Sequence, residues 1–158
     1  MTHHLVHHTR RPLATIPVST RATWPTPMVV GLDGSESSRG ALEWALALAR
    51  EPGVEVTAVY AERPLAEFVP RSDPKSWCQV AVGSLEEWVG PYLDGGVALE
   101  RIVVDDTPGP RLARAADERR AGLVVTGSHG LGGITGVRLG STALKVLHHS
   151  GQPVVIVP

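Results

Sequence analysis

The sequence predicts an α/β fold: an open parallel sheet of five strands with helices on both faces. Two observations point to it. From residue 28 onward, strand-like and helix-like segments alternate as β-α-β-α-β-α-β-α-β, an order that requires crossover connections and therefore parallel pairing. The strand-like segments are also short, near-continuous apolar runs, the pattern of strands covered on both faces. A chain of 158 residues is long enough to bury one such core as a single domain, expected over residues 28–158.

Residues 1–27 stand apart. They contain His3, His4, His7 and His8 together with Pro12, Pro17, Pro25 and Pro27, and show neither a helical nor a strand period. So little apolar surface cannot offset the entropy of ordering, and the segment reads as an extended or disordered arm. Imidazole pairs are metal-ligand types, but no acidic or cysteine partner completes a site around them.

The elements follow in order. Met28-Val29-Val30-Gly31-Leu32 is the first strand and Asp33-Gly34-Ser35 a turn. Ser35 or Ser37 can cap a helix running to about Arg50, with Ala41, Leu42, Ala45, Leu48 and Ala49 on its buried side. Residues 54–60 form the second strand, and 62–73 a proline-punctuated loop. A second helix is expected over 74–93, because Trp77, Val80, Ala81, Leu85, Trp88 and Tyr92 recur at steps of three and four. Such an aromatic stripe reads as core packing. Cys78 lies beside it, with no nearby cation to lower its pKa, and reads as structural. Residues 97–104 are the third strand. Residues 110–120 are a third helix with Pro110 in its first turn, and 123–126 the fourth strand. A glycine-rich loop, a short helix over 141–149 and a last strand over 153–157 complete the domain.

Composition removes several function classes. Fifteen basic and sixteen acidic residues leave a net charge of -1, so nothing marks a nucleic-acid or anionic-membrane partner. A single cysteine allows no internal disulfide. No apolar run reaches the roughly 18 residues of a membrane span, and none follows Arg10 and Arg11 as a signal peptide would require. A cytoplasmic location is the resulting expectation.

In open parallel sheets ligands sit beyond the carboxyl ends of the strands, where the strand order reverses. That directs attention to Asp33-Gly34-Ser35 and to the loop running from Gly127 to Ser141. The loop is not a P-loop, since no lysine precedes its closing serine, and it lacks the G-x-G-x-x-G spacing. It still has the makings of a phosphate cradle. Glycines let backbone N–H groups approach an anion, and Gly140 and Ser141 open the last helix, whose free N–H groups and dipole favour phosphate. The Ser141 hydroxyl either caps that helix or donates to a phosphate. Composition alone leaves a mobile glycine-rich loop as the competing reading.

The spacing narrows the choice. Gly127-x2-Gly130-x9-Gly140-Ser141 resembles the G-x2-G-x9-G-[S/T] motif of ATP-binding universal stress proteins. Val30-Gly31-Leu32-Asp33-Gly34-Ser35 and Ala41-Leu42-Glu43-Trp44-Ala45 are similar to that family's first strand, turn and helix. Residues 124–130 and 148–155 resemble its closing third, so the likeness runs from about residue 28 to 158. It implies a Rossmann-like fold of the adenine nucleotide α hydrolase type, ATP with Mg²⁺ as ligand, and a homodimer formed through the last strand. It also implies residue roles. Asp33 would hold the ribose or a metal-bridged phosphate, and Val59 would line the adenine pocket. Thr126 and Gly127 would frame base and ribose, while Gly130, Gly140, Ser141 and Thr142 would hold phosphates. From the residues alone, Asp33 could equally cap the following helix, and Val59 would be core in any case. His129 and Arg138 are candidate phosphate neighbours that the motif does not specify. His148 and His149 end a helix, where cations suit the dipole.

A nucleotide-dependent regulatory protein of a stress response is therefore the leading expectation. A slow ATPase or phosphotransferase is the alternative, with Asp33 and Arg138 as groups available to carry it. The chain shows no P-loop lysine and no G-x-S-x-G elbow, and a dedicated catalyst is not expected. A nucleotide-free dimeric interaction module is the third reading.

Overall fold

The computed structural model describes residues 11–18, 20, 24–62, 74–131 and 139–158. Its strands are β1 (Leu13–Thr15), β2 (Met28–Leu32), β3 (Val56–Glu62), β4 (Leu99–Asp105), β5 (Leu123–Gly127) and β6 (Val154–Val157). Its α-helices are α1 (Glu36–Leu48), α2 (Pro74–Val89), α3 (Pro108–Glu118) and α4 (Ser141–His149). The sheet order is β1-β6-β5-β2-β3-β4, parallel throughout except for the β1–β6 pair.

The expected five parallel strands are present, but the sheet has six. The additional strand comes from the arm: Leu13, Ala14 and Thr15 pair antiparallel with Ile156, Val155 and Val154. A strand of three residues is too short to carry a readable period, and the pairing that orders it is with the far end of the chain. The four arm histidines lie outside the described residues, as do residues 63–73 of the proline-punctuated loop.

Each face of the sheet is covered by two helices. Ala41, Leu42 and Ala45 of α1 and Leu85 and Val89 of α2 pack on Met28, Val30, Val56, Ala58 and Val125. Leu112, Ala115 and Ala116 of α3 and Val146 of α4 pack on Val29, Val59, Val124 and Ile156. Alternate residues of β2 thus feed opposite clusters, which is why its five residues are all buried and read as a continuous apolar run.

Boundaries shift where local chemistry intervenes. The α-helical part of the expected 74–93 helix stops at Val89 and tightens into a 3-10 turn, Gly90–Gly95. Pro91 offers no N–H to an α ladder, and Gly96 closes the turn at φ 73°. The stripe on α2 is narrower than its spacing suggests. Ala81, Leu85 and Val89 are buried, whereas Val80 is 67% exposed. Cys78 is exposed too, so it is a surface residue and not part of the packing.

Candidate functional site

The chain runs outward from β2 to β3 and β4, then crosses back to β5 and β6 on the other side of β2. Strand order therefore reverses between β2 and β5, and the carboxyl ends of these neighbours open into one crevice. Asp33 leaves β2 and Ser128 leaves β5 at this point.

The turn after β2 is held by its own side chains. Asp33 Oδ1 accepts from the Ser35 N–H at 3.0 Å and the Ser35 hydroxyl at 2.6 Å. Ser35 Oγ in turn accepts from the Ser38 N–H at 3.1 Å and caps α1. Gly34 sits at φ +81°, and a Cβ there would lie 2.5 Å from the Trp88 ring, so both backbone and space require glycine. The second carboxylate oxygen of Asp33 reaches across the crevice and accepts from the Leu131 N–H at 3.3 Å. Asp33 thus joins the β2 turn to the glycine loop.

Two more contacts fix the start of that loop. Ser37 Oγ accepts from the Ser128 N–H at 2.8 Å and donates to the Val157 carbonyl at 3.1 Å. The Gly140 N–H donates to the Ser128 carbonyl at 2.7 Å, which brings the end of the loop back to its beginning.

These segments enclose a cavity of about 460 Å³, within the range of small-ligand sites. Asp33, Val59, Thr126, Gly127, Gly130, Gly140, Ser141 and Thr142 all line it. His129 lines it too, its Nδ1 2.8 Å from Ser128 Oγ. Arg138 lies outside the described residues, as do residues 132–137 between the motif's inner glycine and its end.

The helix N-termini at the crevice differ. At α1, Ser35 supplies a side-chain acceptor. At α4 the cap is Gly140, which has none, and Ser141, Thr142 and Ala143 of the first turn line the cavity. Among the described residues no side chain caps α4, so the N–H groups of its first turn and its positive dipole end lie at the cavity, an arrangement suited to an anion. Among the described residues no group of three or more histidine, cysteine, aspartate or glutamate side chains could hold a metal by itself. Asp33 alone suits one ligand position of a Mg²⁺ ion whose other ligands are phosphates and water.

Tyr60, Glu62, Pro108 and Leu112 also line the cavity, and the sequence reading did not select them. Tyr60 packs edge-on against Trp88, with ring centroids 5.0 Å apart and planes at 75°, and donates a hydrogen bond to Glu62. Desolvation, then the Glu62 hydrogen bond and charge, raises the Tyr60 pKa, so the phenol stays protonated at neutral pH. The available signal was position: Tyr60 and Glu62 follow Val59 at the carboxyl end of its strand.

Residues 26–158 match the universal stress protein family. The chain belongs to that family. Universal stress protein Rv1996 of Mycobacterium tuberculosis is 35% identical over 167 residues, covering 96% of this chain and 50% of the relative. A second protein of that organism, universal stress protein Rv2005c, is 39% identical over 135 residues, covering 82% of this chain and 44% of the relative. This universal stress protein thus spans about half the length of the curated relatives it matches. Among solved structures, a universal stress protein in complex with cAMP superposes with a TM-score of 0.64 at 29% identity, over 84% of this chain and 95% of that one. The hypothetical protein MJ0577 superposes with a TM-score of 0.74 over 85% of this chain and 96% of its own; at 22% identity it supports the fold alone. The universal stress protein domain of this chain has no helix, among the described residues, long and apolar enough to cross a membrane.

Proposed function

We propose that this universal stress protein binds ATP, with Mg²⁺, in the crevice between β2 and β5, and acts as a nucleotide-dependent regulatory protein in a stress response. One observation carries the reading: the uncapped N-terminus of α4 opens into the same cavity as Asp33 and the buried Val59. Such a cavity offers a different chemistry at each end. Val59, Leu112 and the neutral Tyr60 suit the flat apolar faces of a base. The Asp33 carboxylate suits the hydroxyls of a ribose or a phosphate-bound Mg²⁺. Backbone N–H groups at Ser141 and Thr142, with their hydroxyls, suit phosphate oxygens. Mg²⁺ would neutralise phosphate charge there. The cAMP complex of a relative supports an adenine nucleotide, and the glycine spacing supports a polyphosphate. The homodimer implied by the family resemblance would pair copies along β6, which requires β1 to leave the edge it occupies in this chain.

Calorimetric titration of ATP with Mg²⁺ into the wild type and Gly140→Asp tests the reading. Aspartate is a favoured N-cap, so it suits the end of α4 while placing a negative charge where phosphate should lie. Its Cβ would be 3.2 Å from the Ser128 carbonyl, a shift of a few tenths of an ångström, and circular dichroism checks that the fold is kept. Binding by the wild type and a loss of more than tenfold in the variant is the expected result. If the wild type binds none of ATP, ADP, AMP or cyclic AMP, the proposal fails.

A further inference from the structure

The two walls of the crevice differ in charge. The start of α4 is tied to the end of β5 through the Gly140 N–H and the Ser128 carbonyl, and it presents the positive end of a helix dipole. On the other side of β2 stands β3. Neighbouring strands lie about 4.8 Å apart, so roughly 10 Å separates the two walls. Tyr60 of β3 pairs with Leu32, the last residue of β2, and β3 runs on through Ala61 and Glu62. Glu62 therefore stands beyond the end of β2, beside Asp105 in the β3–β4 ladder, and lines the cavity. A carboxylate at one wall and a helix N-terminus at the other give a bound nucleotide one favourable direction, with phosphates toward α4 and base toward Glu62.

Glu62 is also held in place. Its Oε2 accepts from the Tyr60 hydroxyl, and Oε1 has no partner among the described residues. Tyr60 packs edge-on against Trp88, whose ring lies against Gly34 in the turn that carries Asp33. Burial of Tyr60, then its hydrogen bond to Glu62, keeps the phenol protonated at neutral pH, so it stays a donor. An ionised carboxylate only accepts hydrogen bonds. Adenine offers an exocyclic amine, a donor, at the position where a 6-oxopurine such as guanine offers a carbonyl oxygen, an acceptor.

We propose that Glu62 reads the base, accepting from the exocyclic amine of adenine and disfavouring 6-oxopurines, with Tyr60 as the residue that positions it. The inference rests on the nucleotide site proposed above and adds what selects the base there. Val59 and Leu112 meet the face of a ring and gain as much from one purine as from another; a contact at the ring edge separates them. Glu62 is exposed, so water competes for that contact and the discrimination is about tenfold rather than several thousandfold.

Calorimetric titration with ATP and with inosine triphosphate, each with Mg²⁺, tests this on the wild type, Glu62→Gln and Tyr60→Phe. The two nucleotides carry the same ribose and phosphates, so a change of charge at residue 62 acts on both alike. The ratio of their affinities isolates the base contact. The wild type is expected to favour ATP by about tenfold. The amide of Glu62→Gln can turn its N–H toward a carbonyl, so this variant is expected to bring the ratio close to parity, chiefly by binding inosine triphosphate more tightly. Tyr60→Phe keeps the carboxylate but releases it, and its ratio should fall between those of the other two proteins. A wild type that binds both nucleotides equally, or a Glu62→Gln protein that keeps the full preference, overturns the proposal and leaves the nucleotide site standing. An unchanged ratio in Tyr60→Phe overturns the positioning role of Tyr60. A wild type that binds neither nucleotide removes the site itself, and this inference with it.

Discussion

A Cβ built on Gly127 would lie 2.7 Å from the Ser37 carbonyl carbon and 2.8 Å from the Ser38 backbone nitrogen. The first glycine of the motif is therefore needed where the end of β5 passes the first turn of α1, whether or not a ligand is present. A Cβ on Gly130 would instead collide with the Asp33 carboxylate, and one on Gly140 would press on the Ser128 carbonyl. Three glycines of one motif thus answer to a helix backbone, a side chain across the crevice and the start of the loop. Gly127→Ala forces backbone to move in a packed region, and such overpacking costs about 1–3 kcal/mol. Urea denaturation should show the unfolding free energy falling by that amount, through a lower midpoint at an unchanged slope; an unaltered midpoint would mean that β5 and α1 separate freely. The spacing of the glycines was plain in the sequence. Their separate duties were not, because each depends on what lies opposite in space.

At the scale of elements, α1 and α4 show how one residue at a helix start separates a structural end from a binding end. Ser35 accepts from the Ser38 N–H and is itself tied to Asp33, so the α1 terminus is closed. Ser35→Ala removes that acceptor and should cost about 1 kcal/mol. It also deprives Asp33 Oδ1 of the Ser35 hydroxyl while leaving the Ser35 N–H, so thermal denaturation and ATP titration of the variant should both change. Loss of stability without any change in affinity would separate the cap from the site. From the sequence, Ser35 and Ser37 were equal candidates for this cap. The structure assigns Ser35 to the helix and Ser37 to the loop, where its hydroxyl joins Ser128 to Val157. Both parallel-strand runs and helix stripes were legible because burial on a regular element imposes a period. The β1 strand was not, since three residues have no period and its partner lies at the other end of the chain.

At the scale of the molecule, the reversal of strand order between β2 and β5 brings Asp33 and Gly130, nearly a hundred residues apart, to the walls of one cavity. Alternation of elements predicted a sheet that would have such a reversal; which strands flank it depends on the order of pairing, which no local pattern records. The cavity draws on the carboxyl ends of β2, β3 and β5 and the N-terminus of α4, so a ligand there bridges elements that must separate on unfolding. A ligand that binds only the folded state adds about 2.7 kcal/mol at a hundred times its dissociation constant. For a chain of this size each kcal/mol raises the midpoint by about 2–4 °C, so saturating ATP with Mg²⁺ should raise it by roughly 5–10 °C. Thermal denaturation of the wild type and Gly140→Asp measures this directly. A rise in the wild type that the variant lacks would assign the stabilisation to the open end of α4. An equal rise in both would locate the nucleotide elsewhere and leave the uncapped helix without its ligand.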